Sequence, residues 1–211
     1  MNNVSSRTAL VLGATGGVGG EIARALASTG WTIRALARGP AKAAAKGAFE
    51  WVAGDAMDAA SVARAAKGAA LVVHAVNPPG YRDWDRLVLP MIDNSLAAAR
   101  AEGARLLLPG TIYNYGHDAF PVLREDSPQH PATRKGAIRV ALEERLRNSG
   151  QPALIVRAGD FFGPSPGSSR FSQAKADGTQ AFDLQHDASV AAGVGRADCI
   201  RNRPLTRRMT G

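Results

Sequence analysis

A glycine-rich turn near the start of the chain constrains its fold more than any other feature. The sequence LVLGATGGVG, residues 10–19, joins a short apolar stretch to an amphipathic one. A strand that turns on glycines into a helix is the arrangement that holds a dinucleotide diphosphate. Gly13 permits the tight turn, Gly16 lets the backbone approach the phosphates, and Gly19 lets helix pack on strand. A turn that serves packing alone is the alternative. The residues predicted to surround the diphosphate are Gly13, Thr15, Gly16, Gly17, Val18 and Gly19.

Short apolar segments alternate with longer segments of helical spacing from Thr8 to about Gly163. Strands that are apolar on both faces are typical of a parallel sheet covered by helices, so we predict an α/β, Rossmann-like doubly wound parallel sheet with helices on both faces. Three helices are predicted most clearly. The first follows the glycine turn, the second runs from Trp84 to Arg100, and the third runs from Gly136 to Ser149. Pro90 either kinks the second helix or opens its main part. The predicted strands are Thr8–Leu12, Thr32–Ala37, Glu50–Ala53, Leu71–Val76, Arg105–Leu108 and Ala153–Val156.

The end of the chain differs from the rest. Residues 1–165 are predicted to form the nucleotide-binding domain, and residues 166–211 an irregular, poorly ordered basic tail without sustained periodicity. Five arginines and one aspartate in residues 196–211 contribute half of the net charge of +8. No aromatic residues lie among these arginines, so we predict no specific nucleic-acid partner. A lone cysteine, Cys199, and the lack of a long apolar run predict a cytoplasmic protein without a membrane span.

The residues after the second strand decide which dinucleotide fits. An acidic residue about 20 residues after the turn favours NAD, but residues 34–40 contain none. Arg38 can pair bidentately with a 2′-phosphate, which favours NADP, whereas Arg34 is predicted to point elsewhere. A solvated loop charge is the alternative for Arg38. Asp55 is predicted either to accept a hydrogen bond from the adenine amino group or to stabilise a turn, and Asp58 is the better helix cap.

These features together resemble the short-chain dehydrogenase/reductase superfamily, in particular its extended and atypical members related to NAD-dependent epimerases and dehydratases. The resemblance covers about residues 7–165. It implies that Ala75, Val76 and Asn77 lie beside the nicotinamide ribose, although Asn77 with the following Pro78 also suits a simple turn. The motifs that carry it are the glycine turn, His74-Ala75-Val76, Tyr115-Gly116 and residues 157–164, RAGDFFGP.

The resemblance also implies a catalytic set, from which this chain departs. Thr111, four residues before the Tyr115-Gly116 pair, matches the residue that hydrogen-bonds a substrate carbonyl; the alternative is a small polar turn residue. The family uses a Tyr as proton donor, a Lys four residues later and then a Glu. Counted back from Glu143, Arg139 takes the Lys position and Lys135 the Tyr position. Arg139 is expected to hold the nicotinamide ribose.

Two side chains are candidates for the missing proton donor. Lys135 is one, and a surface lysine is its alternative; Tyr113 is the reserve donor, because Tyr115 belongs to the structure in this family. The loop residues His117 and His130 lack ligand spacing, so no metal site is predicted.

The expected function is an NADP-dependent oxidoreductase or epimerase/dehydratase-like enzyme acting on a small carbonyl or sugar-like substrate. The lost Tyr leaves a second class open, a non-catalytic module that senses NADP(H). Extended members continue further, so the substrate region is predicted to be incomplete here. Residues from about Ser169 then represent either a truncated or frameshifted end or a short basic extension. A homodimer seam along Trp84–Arg100 is possible in such folds.

Overall fold

A computed structural model of the chain describes residues 7–44, 48–78, 83–119, 122–159 and 198–201. Part of the loop after Asn77, the residues 160–164 of the family-like segment and most of the predicted tail lie outside the described residues.

Seven strands form a single sheet in the order β3-β2-β1-β4-β5-β6-β7. The first six are parallel, and β7 pairs antiparallel with β6. The predicted doubly wound parallel sheet is therefore confirmed. The strands are β1 Thr8–Leu12, β2 Thr32–Ala37, β3 Glu50–Ala53, β4 Ala69–His74, β5 Arg105–Thr111, β6 Ala153–Ala158 and β7 Asp198–Arg201.

Helices cover both faces of this sheet. Alternate residues of β1 divide between two cores: Leu10 and Leu12 pack with residues of α3, α4 and α5, and Ala9 and Val11 pack with residues of α1. This alternation buries the central strand on both faces, as in other parallel sheets. The α-helices are α1 Gly17–Ser28, α2 Pro40–Ala43, α3 Ala59–Ala66, α4 Trp84–Ala101 and α5 Arg134–Asn148, and His117–Ala119 forms a 3₁₀ turn.

Some predicted boundaries are wrong. β4 ends at His74, so Ala75 and Val76 lie in the loop that follows the strand. β5 runs on through Pro109 and Gly110, which read as strand breakers, because residues 106–111 pair with β6. β7 lies in the segment for which irregular structure was predicted; its four residues pair with the edge that β6 would otherwise present.

Pro90 lies inside α4, which begins six residues earlier at Trp84, so the alternative in which Pro90 opens the helix is wrong. The apolar stripe of α4 that includes Val88, Ile92 and Leu96 is buried in the chain's own core. A homodimer through this helix stays a prediction, and it would have to use the helix's outer, more polar face.

Candidate cofactor and catalytic site

The glycine turn lies against the chain that leaves β4. Gly13 has a φ of +90°, and a Cβ built on it would lie 2.5 Å from the Ala75 carbonyl oxygen. The Ala75 N–H donates to the Leu12 carbonyl at 2.9 Å, which holds the two strand ends together. A side chain at position 13 would therefore meet unfavourable torsions and backbone atoms at once. The turn therefore requires a residue without a side chain at position 13.

The first turn of α1 is open towards solvent. Thr15, Gly16 and Gly17 are exposed, and a Cβ built on Gly17 would meet no atom within 4 Å. Gly16 is the N-cap, so no side chain caps the first amides, and the first turn contains no acidic residue. Uncapped amides and the positive end of a helix dipole attract an anion. The cradle therefore fits the diphosphate of a dinucleotide.

Two other helices of the chain, α3 and α5, have side-chain caps at their N-termini. Asp58 accepts from the Ala60 N–H at 3.0 Å and caps α3, as predicted. Thr133 accepts from the Gly136 N–H at 3.0 Å and caps α5. At α1 no side chain accepts hydrogen bonds from the first amides, so a bound ligand can accept them instead.

Arg38 and Asp55, the residues predicted to contact the adenosine, follow β2 and β3. Arg38 follows β2 directly, is exposed, and makes no hydrogen bond or ion pair within the described part of the chain. Arg34 donates to the carbonyls of Ala65 and Lys67 at 2.8 Å each, which confirms that it points elsewhere. Asp55 accepts from the Met57 N–H at 2.9 Å, so one of its oxygens stabilises a turn.

The end of β4 presents a buried histidine. His74 is 3% exposed, and its Nδ1 lies 2.8 Å from the Ser95 hydroxyl. Burial, and secondly the positive charge of Arg139, lower the pKa of His74 to about 3. This imidazole is therefore neutral near pH 7 and is not a proton donor at that pH.

Arg139 reaches from α5 towards the same edge of the sheet. Its guanidinium carbon lies 4.9 Å from the centre of the Trp84 ring, and its Nη2 donates to Asn77 Oδ1 at 3.4 Å. Asn77 is exposed after β4. The structure thus brings together two of the residues predicted to lie near the nicotinamide ribose, although they are 62 positions apart.

The residues predicted to be catalytic lie on segments that meet after β5. Thr111 is the last residue of β5, and Tyr113 follows it with 48% of its surface exposed. Lys135 is exposed in the first turn of α5. A Cβ built on the next residue, Gly136, would collide with the Tyr113 carbonyl oxygen. The two candidate proton donors are therefore carried by segments in direct contact. Tyr115 is buried beneath the Arg157 guanidinium, which fits its predicted structural role.

A buried polar network that the sequence did not reveal supports Thr111. The Thr111 hydroxyl donates to Asn114 Oδ1 at 3.4 Å, and Asn114 Nδ2 donates to Gln129 Oε1 at 3.2 Å. Gln129 Nε2 then donates to Glu143 Oε2 at 3.1 Å. Glu143, 1% exposed, also binds Arg157, 8% exposed, through two hydrogen bonds.

The direction of these hydrogen bonds is set at the buried end. A carboxylate paired with arginine only accepts, so Gln129 turns its amide nitrogen towards Glu143 and its oxygen towards Asn114. Asn114 in turn presents its oxygen to Thr111, whose hydroxyl donates to it. The long Thr111–Asn114 contact of 3.4 Å is a weak bond that a substrate carbonyl can replace.

Comparison with known proteins places the chain in a family. A family model described as NAD(P)H-binding matches residues 13–195. The chain belongs to this NAD(P)H-binding family. A nicotinamide dinucleotide, the cofactor class predicted from the glycine turn, is the ligand that describes this family.

Individual relatives agree with this assignment. A Streptomyces sp protein named 3-diazoavenalumate denitrifying reductase is 32% identical over 179 residues, which cover 76% of this chain and 58% of that protein. The chain thus spans a little over half the length of this curated relative. An Agrobacterium tumefaciens short-chain dehydrogenase/reductase with bound NAD is 22% identical, with a TM-score of 0.66 over 89% of this chain and 61% of the neighbour.

Two further solved structures share the fold. Bordetella bronchiseptica WbmH in complex with NAD+ is 21% identical, with a TM-score of 0.70 over 92% of this chain and 74% of its own. The UDP-N-acetylglucosamine 4-epimerase of Bacillus cereus is 19% identical, with a TM-score of 0.63 over 75% and 55%. These likenesses, all below 25% identity, confirm the fold that the resemblance implies.

In the part that the structure describes, no three His, Cys, Asp or Glu residues are grouped as metal ligands would be. His130 instead pairs with Asp118 at 2.6 Å on the surface. Among the same residues, no helix has both the length and the apolar character needed to cross a bilayer.

Sequence reasoning missed the buried network for an identifiable reason. Glu143 and Arg147 are four residues apart, which is typical of an exposed helix pair, and they do form that pair at 2.9 Å. Glu143 is nevertheless buried, because Leu142 and Leu146 on the same side of α5 face the core. A carboxylate next to two core leucines was the available signal that it needed a buried partner.

Proposed function

We propose that this chain is the coenzyme-binding part of an NADP-dependent oxidoreductase or epimerase-like enzyme acting on a small carbonyl or sugar-like substrate. One observation carries the proposal: the glycine cradle, the Asn77–Arg139 contact and Thr111 all lie at the edge of the sheet where the parallel strands end. In open α/β sheets ligands bind at this edge, where the strand order reverses. Here the reversal lies between β1 and β4.

NADP is the proposed coenzyme. Arg38 is exposed at the end of β2, and no acidic residue in the neighbouring sequence would repel a 2′-phosphate. A guanidinium suits that phosphate because its planar fork donates two parallel hydrogen bonds. Asp55, half-buried after β3 with one oxygen engaged in its turn, is proposed to receive the adenine amino group on the other.

A nicotinamide dinucleotide held by these residues would supply a hydride for the substrate carbonyl carbon, or would accept one in the reverse direction. The Thr111 hydroxyl moves its hydrogen bond from Asn114 to the carbonyl oxygen and stabilises the charge that develops there. Lys135 Nζ or Tyr113 Oη delivers the proton that this oxygen gains, so that carbonyl becomes alcohol. Arg139 holds the nicotinamide ribose from α5.

Coenzyme titration tests the first half of the proposal. Calorimetry on the wild-type chain is expected to show tighter binding of NADPH than of NADH. Arg38→Ala should weaken NADPH binding by about 10-fold or more, in line with the loss of a charge-assisted pair, and leave NADH binding nearly unchanged. Arg64→Ala, a change on α3, is the matched control. No heat with either coenzyme would overturn the proposal.

Turnover tests the second half. NADPH oxidation is followed with a panel of small aldehydes, ketones and nucleotide sugars, and with an aryl diazo compound suggested by the name of the Streptomyces relative. We expect Lys135→Ala or Tyr113→Phe to lower turnover by about 100-fold or more if that side chain donates the proton. Full activity in both variants would exclude both residues as donors.

An NADP(H) sensor is the second candidate function. The observation that favours it is Lys135 at the position where the resemblance calls for Tyr. Tight NADPH binding without turnover on any substrate of the panel would support the sensor, and measurable oxidation would support the enzyme.

A further inference from the structure

A cation–π contact connects the two helices that flank the proposed nicotinamide site. Trp84 is the first residue of α4 and is 4% exposed, and the Arg139 guanidinium of α5 lies 4.9 Å from its ring centre. A guanidinium over a ring at this distance is attracted to the negative face of the ring. The ring thus limits where the end of the Arg139 side chain can lie.

The backbone at the start of α4 is unusual. Asp83 has a φ of +50°, and it is the only residue other than glycine with a positive φ in the part of the chain that the structure describes. Its carbonyl oxygen accepts from the N–H groups of Arg86 and Leu87 at 3.0 and 2.9 Å, which starts the helix. Such a conformation persists only where the surrounding structure holds it, and it often lies at functional sites.

Two polar side chains lie near the Arg139 guanidinium. Asn77 contributes a neutral amide oxygen at 3.4 Å. The buried His74 stays uncharged near neutral pH, since burial lowers the pKa of its imidazole. His74 therefore adds no positive charge beside the guanidinium near neutral pH.

We propose that Trp84 is a positioning residue that holds the Arg139 guanidinium beside the coenzyme's nicotinamide ribose. The inference rests on the proposed function, in which Arg139 takes the place that the related family gives to Lys. An arginine is longer than a lysine and planar at its end, so it needs a flat partner to fix its orientation. Trp84 supplies that surface, and Asn77 accepts a hydrogen bond from the same guanidinium.

For the change of Arg139 to Lys, the proposal predicts the opposite of what the family's use of Lys suggests. Arg139→Lys restores the residue that the family uses, but its compact ammonium loses the stacked plane and the contact with Asn77. We expect NADPH to bind this variant about 10-fold more weakly than the wild type, while the melting temperature changes little. Binding as tight as that of the wild type would overturn the proposal.

Two substitutions at Trp84 separate positioning from packing. Trp84→Phe keeps an aromatic face and is expected to stay within about 3-fold of wild-type NADPH affinity. Trp84→Leu keeps an apolar side chain without that face and is expected to bind about 10-fold more weakly. In Trp84→Leu/Arg139→Ala the affinity should equal that of Arg139→Ala alone, because the tryptophan acts through the arginine. Equal weakening by Phe and Leu would show a packing role only and would overturn the proposal.

Trp31→Leu is the matched control. Trp31 also lies beneath an arginine, with Arg7 Cζ 5.9 Å from its ring centre, but it directly precedes β2 at the opposite end of the strand from the proposed site. NADPH affinity should not change there. Affinities are measured by NADPH fluorescence, and each variant's melting temperature is recorded. If Trp84→Leu fails to fold, Trp84→Phe and Arg139→Lys still decide the question. A folded wild type that binds no NADPH overturns the proposed function itself, which distinguishes the two failures.

Discussion

The segments that follow the strands are held in place differently in the two halves of the molecule. On the coenzyme side, residues 7–78, the turn after β1 depends on side chains that are absent, with backbone touching backbone at Gly13 and Ala75. On the side of the proposed catalytic residues, residues 83–159 and called the catalytic side below, the segment after β5 depends on buried charge. There Glu143 and Arg157 anchor a hydrogen-bonded chain that ends at Thr111. The first region is expected to be sensitive to added atoms and the second to a removed charge.

The largest expected effect concerns the buried ion pair. Glu143→Gln leaves the Arg157 guanidinium buried without its counter-charge, and breaking such a pair costs about 3–5 kcal/mol. We expect the free energy of unfolding in urea to fall by that amount. Glu144→Gln on the exposed neighbour is the control, and it should change stability by less than about 0.5 kcal/mol. Equal, small effects in the two variants would show that the catalytic side does not depend on buried charge.

An added methyl group tests the coenzyme side. Gly13→Ala combines a positive φ with a backbone collision, so we expect a loss of about 2–4 kcal/mol in stability and loss of NADPH binding. Gly30→Ala is matched in φ, at +86°, but meets no atom within 4 Å. It should cost only the torsional part, about 1–2 kcal/mol, and leave binding intact. Similar losses in both variants would show that conformation, and not close approach, requires Gly13.

The same contrast explains how much of this molecule the sequence could predict. The first three strands have the predicted bounds, because short apolar runs between clear turn signals leave few alternatives. The glycine turn was predicted because its requirements are local: a strand end, small residues at fixed spacing and a helix start. The positions of β1 and α1 follow from ten consecutive residues.

The catalytic side depends on contacts that are remote in sequence. Asn114 and Gln129 are 15 positions apart and Glu143 and Arg157 are 14 apart, while Asn77 meets Arg139 across 62 positions. No periodicity links such pairs. The continuation of β5 through Pro109 and Gly110 was missed for a related reason, because pairing with β6 outweighs local preference there.

A smaller effect concerns His74, which lies where the two halves meet. Since burial lowers its pKa to about 3, the folded chain binds fewer protons there than the unfolded chain does below pH 6.5. Stability therefore falls as the pH drops, by about 1.4 kcal/mol between pH 7.5 and 5.5 from this group. His74→Asn keeps a polar atom near Ser95 but does not titrate, so it should remove that part of the pH dependence. His117→Gln, on the exposed 3₁₀ turn, should leave the dependence as it is. A wild-type slope in His74→Asn would show that this histidine is not the cause.

The smallest change in stability is expected for an added helix cap at Gly16, which tests the comparison between α1 and α3 directly. Gly16→Asp would give α1 the side-chain cap that Asp58 gives α3, and its φ of −85° suits any residue. Because Asp improves on Gly at an N-cap by only a few tenths of a kcal/mol, the unliganded chain should keep its melting temperature or gain about 1–2 °C. NADPH affinity should fall by about 10-fold or more, since a carboxylate then occupies the amides that the diphosphate needs and repels its charge.

Gly16→Ala, which adds the Cβ without the charge, separates repulsion from crowding by the Gly13 carbonyl. If Asp at this position leaves NADPH binding unchanged, the open helix end is not the diphosphate site. If affinity falls while stability holds, the missing cap is a requirement of binding and not a defect of the helix.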